Sequence, residues 1–445
     1  MTFCIIAIIV LLIGMITGLP IFVAVLLSAM VMVAGGGYDP SFFAVKGFTN
    51  LDSITMLAMP MFIFAGSLME HGGIGDKLLG ACYQVIGSIK GGLGAVVPIS
   101  SAVFGAITGS STATVSCIGS IAAPKLKENG YPDGVIGSVI ASAGVLGVLI
   151  PPSMLVIYYG WLGNESVLKC FLSTLLPGVL LTLLMAIVTI LLVKTNPNIK
   201  VLDRAAERAA KMAMTAEEKR AAKYGPDGKR QFGSLPALLL PVVVLGGIYS
   251  GVFTTVEAAA ISCLYATVVG IFIYRGLDPK EFVVSIKRAG VVSGIIMVSV
   301  YATGVLSRMF ITEGLPMAML NALMKISENP KVIMLLINVF MVFMGMIMSD
   351  TSCMLLLTPI LVPIVKAIGY SPIHFCAIMC VNIGMGNVTP PVAPNLYLAA
   401  SIAKVDVKDM MVPNIIYVLT CWLPVLIITT LFPQIALWLP GQLGG

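Results

Sequence analysis

Shifted against itself by 239 residues, the chain lays one set of punctuation residues on another. Gly37, Asp39, Pro40, Phe43 and Val45 fall on Gly276, Asp278, Pro279, Phe282 and Val284. Ser110 and Thr112 fall on Ser349 and Thr351, Pro124 on Pro363, and Gly130-Tyr131 on Gly369-Tyr370. Gly147, Pro151, Pro152 and Tyr158 fall on Gly386, Pro390, Pro391 and Tyr397. The middle takes small gaps, since Gly66 matches Gly304 one residue out of step. With 45 glycines in the chain, single glycines align by chance. Asp-Pro, Gly-Tyr and Pro-Pro at one offset do not, so the sequence reads as two copies of one unit. They are 1–193 and about 234–445, joined by a linker over 194–233.

Composition says what medium the repeat lives in. Of 445 residues, 58% are hydrophobic and 10% charged, and the mean hydropathy is +1.03. A soluble domain carries roughly a quarter charged residues. Apolar runs of about 20 residues recur throughout, the length of a membrane-crossing helix. The expectation is an all-α polytopic membrane protein. The net charge of +6 follows membrane topology, so no nucleic acid partner is expected. Nine cysteines stand singly in apolar runs without a Cys-x-x-Cys, as small buried residues do. His71 and His374 have no partner visible in the sequence. Neither metal-centred nor triad catalysis finds support, and the chain is not expected to be an enzyme. The start, Met1-Thr-Phe-Cys-Ile, lacks a basic region and a small-residue cleavage site, and reads as a retained first span.

Charge placement suggests how the copies lie. The stretch 194–232 is the long polar one, with ten of the 26 Lys and Arg, and 202–223 within it reads as helical. A basic loop of this kind marks the cytoplasmic side. Counting spans backwards puts Lys125 and Lys127 inside. Counting forwards, the chain passes the 250–255 turn and returns to a basic inner loop with Arg275, Lys280, Lys287 and Arg288. Lys404 and Lys408 then fall inside, the tail outside, and Lys366 outside. The copies are expected to be oppositely oriented, an inverted repeat.

Each copy contains a region too interrupted for a simple span. In the first, about 91–127 turns at Thr108-Gly-Ser-Ser-Thr112; in the second, about 331–366 turns at Ser349-Asp-Thr-Ser352. Helices of about 16 residues reach roughly 24 Å, so each region is expected to be a re-entrant hairpin. A broken helix follows, about 134–161 and about 372–400. Pro151-Pro152 and Pro390-Pro391 remove backbone donors. That frees carbonyls near Gly147, Val148 and Ile150, and near Gly386, Asn387 and Thr389. Such carbonyls, with tip hydroxyls from Ser110, Ser111, Ser349 and Thr351, suit a dehydrated Na+, and half-helix N-termini suit an anion. Asp350, a carboxylate at a tip where the first copy has Ser111, is a functional candidate by position. N-capping is its other role. Thr112, Asn387 and Asn395 are candidate substrate contacts, the two asparagines equally candidates for helix packing. Thr254-Thr-Val-Glu257 reads as a capping box. Arg308 and Glu313 sit near a span end and are expected to snorkel.

At these motifs the chain resembles the large membrane subunit of TRAP (tripartite ATP-independent periplasmic) transporters. The resemblance runs over nearly the whole length. It is carried most specifically by Thr108-Gly-Ser-Ser-Thr-Ala-Thr-Val115, Gly119-Ser-Ile-Ala-Ala-Pro124, Gly251-Val-Phe-Thr-Thr-Val-Glu-Ala-Ala259, and the segments 144–159 and 382–396. It implies Na+-driven uptake of an organic acid by an elevator, in which a transport domain holding both hairpins slides against a scaffold domain. It implies two or more Na+ ions. By matching position one cation site would involve Thr108, Ser110, Gly147, Ile150 and Pro152, the other Asp350, Gly386 and Thr389. It also implies a small four-helix membrane subunit and a soluble periplasmic substrate-binding protein, with membrane lipid around the spans. The solute could be sialic acid, a C4-dicarboxylate or a sulfonate.

Other readings stay open at the level of sequence. A stand-alone Na+ or H+/carboxylate carrier would use similar hairpins. A membrane-embedded enzyme would need a nucleophile, base or metal set within the spans. A channel would not need hairpins entering from opposite faces.

Overall fold

The structure, a computed structural model, describes residues 2–86, 89–194, 196–197, 199 and 233–443. The helix expected over 202–223 and most of the basic linker lie outside the described residues. No strand occurs among the described residues.

The first half contains α1 (Thr2–Ile16), α2 (Ile21–Gly36), α3 (Ser41–Leu51), α4 (Ile54–His71) and α5 (Ile74–Ile86). Then come α6 (Gly92–Thr108), α7 (Ser111–Glu128), α8 (Asp133–Gly144), α9 (Leu146–Leu149), α10 (Met154–Gly163) and α11 (Val167–Val193). The second half opens with α12 (Leu235–Tyr249), α13 (Thr255–Val268, continued by a π turn Val269–Ile273), α14 (Pro279–Thr312) and α15 (Leu315–Ile326). It continues with α16 (Pro330–Ile347), α17 (Asp350–Ala367), α18 (Pro372–Val388) and α19 (Pro394–Ala403). It closes with α20 (Val407–Tyr417, continued by a π turn Val418–Trp422), α21 (Leu423–Leu431) and α22 (Pro433–Leu443). Seven helices among the described residues are long and apolar enough to cross a membrane, and the bent pair α8–α9 with α10, at 44°, makes an eighth.

Local chemistry fixes where these helices begin and end. Ser110 and Ser349 cap α7 and α17 by accepting the Ala113 and Ser352 amide hydrogens, each at 3.4 Å. Such caps satisfy donors that the first helical turn leaves unpaired. Gly109 takes φ +59°, a left-handed conformation that closes α6 and turns the chain within two residues. The capping box at Thr254 and Glu257 forms, with the Thr254 N–H donating to Glu257 Oε2 at 2.7 Å. Tyr38 donates to Glu313 at 3.1 Å, so this carboxylate has a protein partner near its span end.

Two sequence expectations need correction. Lys280, Lys287 and Arg288 do not lie in a loop: Asp278 caps the helix and Pro279 opens it, so all three belong to α14. The histidines are also not without partners. His71 Nδ1 donates to Ser67 O at 2.8 Å, and His374 Nε2 donates to Thr429 O at 2.7 Å. Both acceptors are main-chain carbonyls, which no sequence pattern marks.

Helices gather into two groups. Helix α4 packs against α13 and α14, and α14 packs in turn on α2 and α3. The other group holds both hairpins (α6–α7 and α16–α17), both broken helices, α11 and α20. Within it the halves interleave: α19 packs on α7 and α8, α20 on α8, and α10 on α17. Tyr159 donates to Pro372 O at 2.5 Å and Ser138 to Met410 O at 2.9 Å across the same seam. The groups meet where α4 touches α6 and α10, and where α14 touches α17.

Candidate functional site

The two hairpin tips meet. Ser111 Oγ donates to Asp350 Oδ2 at 2.5 Å, with both residues buried. Asp350 begins α17, and its Oδ1 accepts the Thr351 N–H at 2.8 Å. No ion pair among the described residues involves Asp350. A buried carboxylate held by two hydroxyls and one amide, without an ion-pair partner, is expensive in a low-dielectric surrounding. Its second oxygen and the neighbouring hydroxyls therefore make a site that favours positive charge.

Each tip is bound to the break in its own copy. Met154 N–H donates to Gly109 O at 3.2 Å, fastening α10 to the first tip. Ser153 Oγ donates to Val148 O at 2.6 Å across the first break. In the second copy Ala393 N–H donates to Met346 O at 3.2 Å, and Thr389 Oγ1 to Met385 O at 2.6 Å. Backbones touch at matching places. A Cβ on Gly105 would run into Gly147 Cα, and one on Gly386 would lie 2.6 Å from Gly345 Cα. Only glycine allows this approach.

Asn387 joins break and tip directly. With its amide turned as its neighbours require, it donates to Met348 O at 3.2 Å and accepts the Asp350 N–H at 3.2 Å. Asn387 therefore fixes the second tip rather than facing open space. Asn395 starts α19, buried, and its Nδ2 has no hydrogen-bond partner among the described residues. It does not line the cavity described next.

Thr108, Ser110, Thr112, Ser349, Asp350 and Thr351 do line one cavity, of about 300 Å³. Thr108 and Thr114 place their hydroxyls 3.4 Å apart, and Thr114 Oγ1 donates to Ser110 O at 2.8 Å. Ser110 and Thr112 hydroxyls lie 3.1 Å apart. Gly147 sits against Thr114 and Ser110 O, and Pro152 O sits against Gly109. Ile150 ends the α9 turn, where its N–H donates to Leu146 O at 3.0 Å. Around the first tip the donors available are thus hydroxyls and carbonyls. Around the second they are the Asp350 carboxylate, the Ser349 and Thr351 hydroxyls, and the carbonyls near Gly386 and Thr389. All are hard oxygen donors, a set suited to a hard cation and not to a metal that prefers nitrogen or sulfur.

Sequence reasoning missed four groups here. Ser67 and Glu70 from α4, Arg288 from α14 and Ser116 from α7 complete the cavity. Asn414 on α20 was missed as well. It donates to Val388 O at 2.6 Å, just before the second break, and accepts from Ser142 at 3.5 Å in the helix leading to the first. A helical stripe, as in Ile63, Ser67 and Glu70, was the available signal, but in an apolar helix it reads as packing.

Helices long and apolar enough to cross a membrane, paired hairpins, and a cavity between two helical groups lined by hydroxyl, charged and apolar side chains are the build of a membrane transport protein. Comparison places it further. The family described as "Tripartite ATP-independent periplasmic transporter, DctM component" matches residues 5–435. The isethionate TRAP transporter permease DctMQ of Oleidesulfovibrio alaskensis is 33% identical over 96% of this chain, which spans 65% of that longer relative. The C4-dicarboxylate large permease DctM of Rhodobacter capsulatus is 30% identical over 97% of both chains. The sialic acid large permease SiaM of Vibrio cholerae is 29% identical over 95% of both. Among solved structures, the YdaH transporter of Alcanivorax borkumensis superposes with a TM-score of 0.61 at 16% identity, covering 90% of this chain and 89% of that one. This last likeness concerns the fold alone. The chain belongs to the large permease subunits of TRAP transporters. It is a multi-pass protein of the inner membrane and a transporter subunit, not an enzyme.

Proposed function

We propose that this permease imports a small organic acid by Na+-coupled secondary transport, with an elevator movement of the hairpin-bearing group against the group built on α4 and α14. The observation that carries the reading is Asp350: a buried carboxylate at the meeting point of two tips, surrounded by hard oxygen donors and in no ion pair among the described residues. One cation would bind among Thr108, Ser110, Gly147, Ile150 and Pro152. A second would bind among Ser349, Asp350, Thr351, Gly386 and Thr389, with Ser111 orienting the carboxylate. A cavity of about 300 Å³ has room for a small carboxylate or sulfonate. Relatives named for isethionate, C4-dicarboxylates and sialic acid support an organic acid without choosing among them. The hairpins are read as re-entrant from opposite faces, with Lys125 and Lys127 cytoplasmic and Lys366 outside. Following the family, a small four-helix membrane subunit and a periplasmic substrate-binding protein complete the assembly.

Reconstituted uptake tests this. Vesicles containing the permease and its small subunit are given isethionate, succinate or sialic acid with a cognate binding protein. Uptake of one solute should follow an inward Na+ gradient and vanish when K+ replaces Na+. Equal uptake in K+ would remove the Na+ coupling, and uptake without any binding protein would favour a stand-alone carrier.

A further inference from the structure

The cavity has a wall that the hairpins do not provide. Helix α4 contributes Ser67 and Glu70 and helix α14 contributes Arg288 to the same lining as Asp350 and Thr351. Arg288 is the cationic side chain lining this cavity among the described residues, and its Nη1 lies 2.8 Å from Glu70 Oε2. Arg288 keeps 45% of its side chain exposed and Glu70 22%, so the pair faces open volume. Beside them Ser67 is 7% exposed, and its hydroxyl has no hydrogen-bond partner among the described residues. The lining thus carries two carboxylates, one guanidinium and an unused buried hydroxyl.

An organic anion needs a donor fork in such a place. Guanidinium matches a carboxylate or sulfonate with two parallel N–H donors, and no other lining group does so. In the present arrangement Glu70 occupies that fork. We propose that the Glu70–Arg288 pair is the anion subsite of the cavity. The carboxylate or sulfonate of the transported acid displaces Glu70 from Arg288, and Ser67 donates a further hydrogen bond. This rests on the organic-acid reading above and adds a residue from outside the hairpins. Glu70 acts as a built-in competitor. It keeps the guanidinium paired while the cavity is otherwise empty of anion, and it sets how tightly the solute is held. With Asp350 in the same lining, two carboxylates stand against one guanidinium, so anion binding at Arg288 strengthens once Asp350 is neutralised by a cation.

The test uses the purified full-length permease and thermal shift, with isethionate, succinate and sialic acid as probes, each in Na+ and in K+ medium. The wild type should be stabilised by at least one probe. Glu70→Gln should lower the half-saturating concentration of that probe several-fold. Arg288→Gln and Arg288→Lys should raise it strongly, while the shift produced by Na+ alone persists. The exchanged pair, Glu70→Arg with Arg288→Glu, should recover the basal melting temperature and not the response to the probe. A merely structural ion pair would behave otherwise: the exchange would recover both, and Glu70→Gln and Arg288→Gln would weaken binding alike. Either result overturns the proposal, as does a wild type indifferent to all three anions. Loss of Na+ preference with retained Arg288 dependence would remove the Na+ coupling and leave the subsite standing. The reverse pattern would remove the subsite and leave the coupling.

Discussion

Ser111 and Asp350 are 239 residues apart, the offset of the internal repeat, and they hydrogen-bond to one another at 2.5 Å. The tips of the two copies thus meet at matching positions, and there the copies differ in chemistry: a neutral hydroxyl against a carboxylate. The two proposed cation sites would therefore not be equivalent, since only the second has a carboxylate among its candidate ligands.

Replacing Asp350 with asparagine keeps the shape and the acceptor for Ser111 but removes the charge. Losing a contact to a cation worth about 1.4 kcal/mol is a tenfold fall in affinity, so the half-saturating Na+ concentration should rise by about that factor or more. Uptake measured against Na+ concentration reads this directly. Near wild-type Na+ dependence would speak against Asp350 as a cation ligand.

Ser111→Ala leaves a buried carboxylate oxygen without its donor. The cost of such an unsatisfied group is about 1–3 kcal/mol, visible as a lower melting temperature in detergent. In the Asp350→Asn background the same change should cost less, because the two side chains share one interaction. Strict additivity would show that the hydrogen bond contributes nothing.

Gly386→Ala puts a Cβ 2.6 Å from Gly345 Cα, where only backbone could yield. Overpacking of this kind costs about 1–3 kcal/mol. Gly246→Ala, whose Cβ would meet nothing within 4 Å, is the control and should be near neutral. A Gly386→Ala protein as stable as the control would mean that hairpin and break are not packed backbone to backbone.

Labelling can read the topology. Lys127 and Lys366 are half exposed, paired with Asp133 and Glu165. Most of the nine native cysteines are buried, which keeps background low. A membrane-impermeant maleimide applied to whole cells should label Lys366→Cys and spare Lys127→Cys until the cells are opened. Both positions reacting from the same side would end the inverted arrangement.

What could be read from the sequence was whatever demands a particular residue type. Tips need small hydroxyl residues, and the first also a left-handed glycine at Gly109. Breaks need proline, as at Pro151-Pro152, and a capping box needs Thr254 and Glu257 at fixed spacing. Arg288 was misplaced because a cation after Gly276 looks like the end of a loop. The Asp278-Pro279 signal, which starts a helix, was the corrective. Its partner Glu70 was out of reach, since two helices far apart in sequence must pack before the pair exists. Asn387 was legible as a candidate for helix packing as much as for substrate contact, and its partners, main-chain groups of Met348 and Asp350, are what no sequence pattern marks. Asn414 gave no signal at all: one amide in an apolar helix looks like many others.

The glycine contacts at Gly105 with Gly147 and at Gly345 with Gly386 carry a mechanical consequence. Where main chain lies against main chain, no rotamer change can take up a displacement. Each hairpin and its neighbouring break are packed as one cassette, so in the proposed elevator movement whatever is held between them would travel with it. The compliance such a movement needs would then fall to the boundary with α4 and α14, which flexible side chains such as Glu70 and Arg288 line.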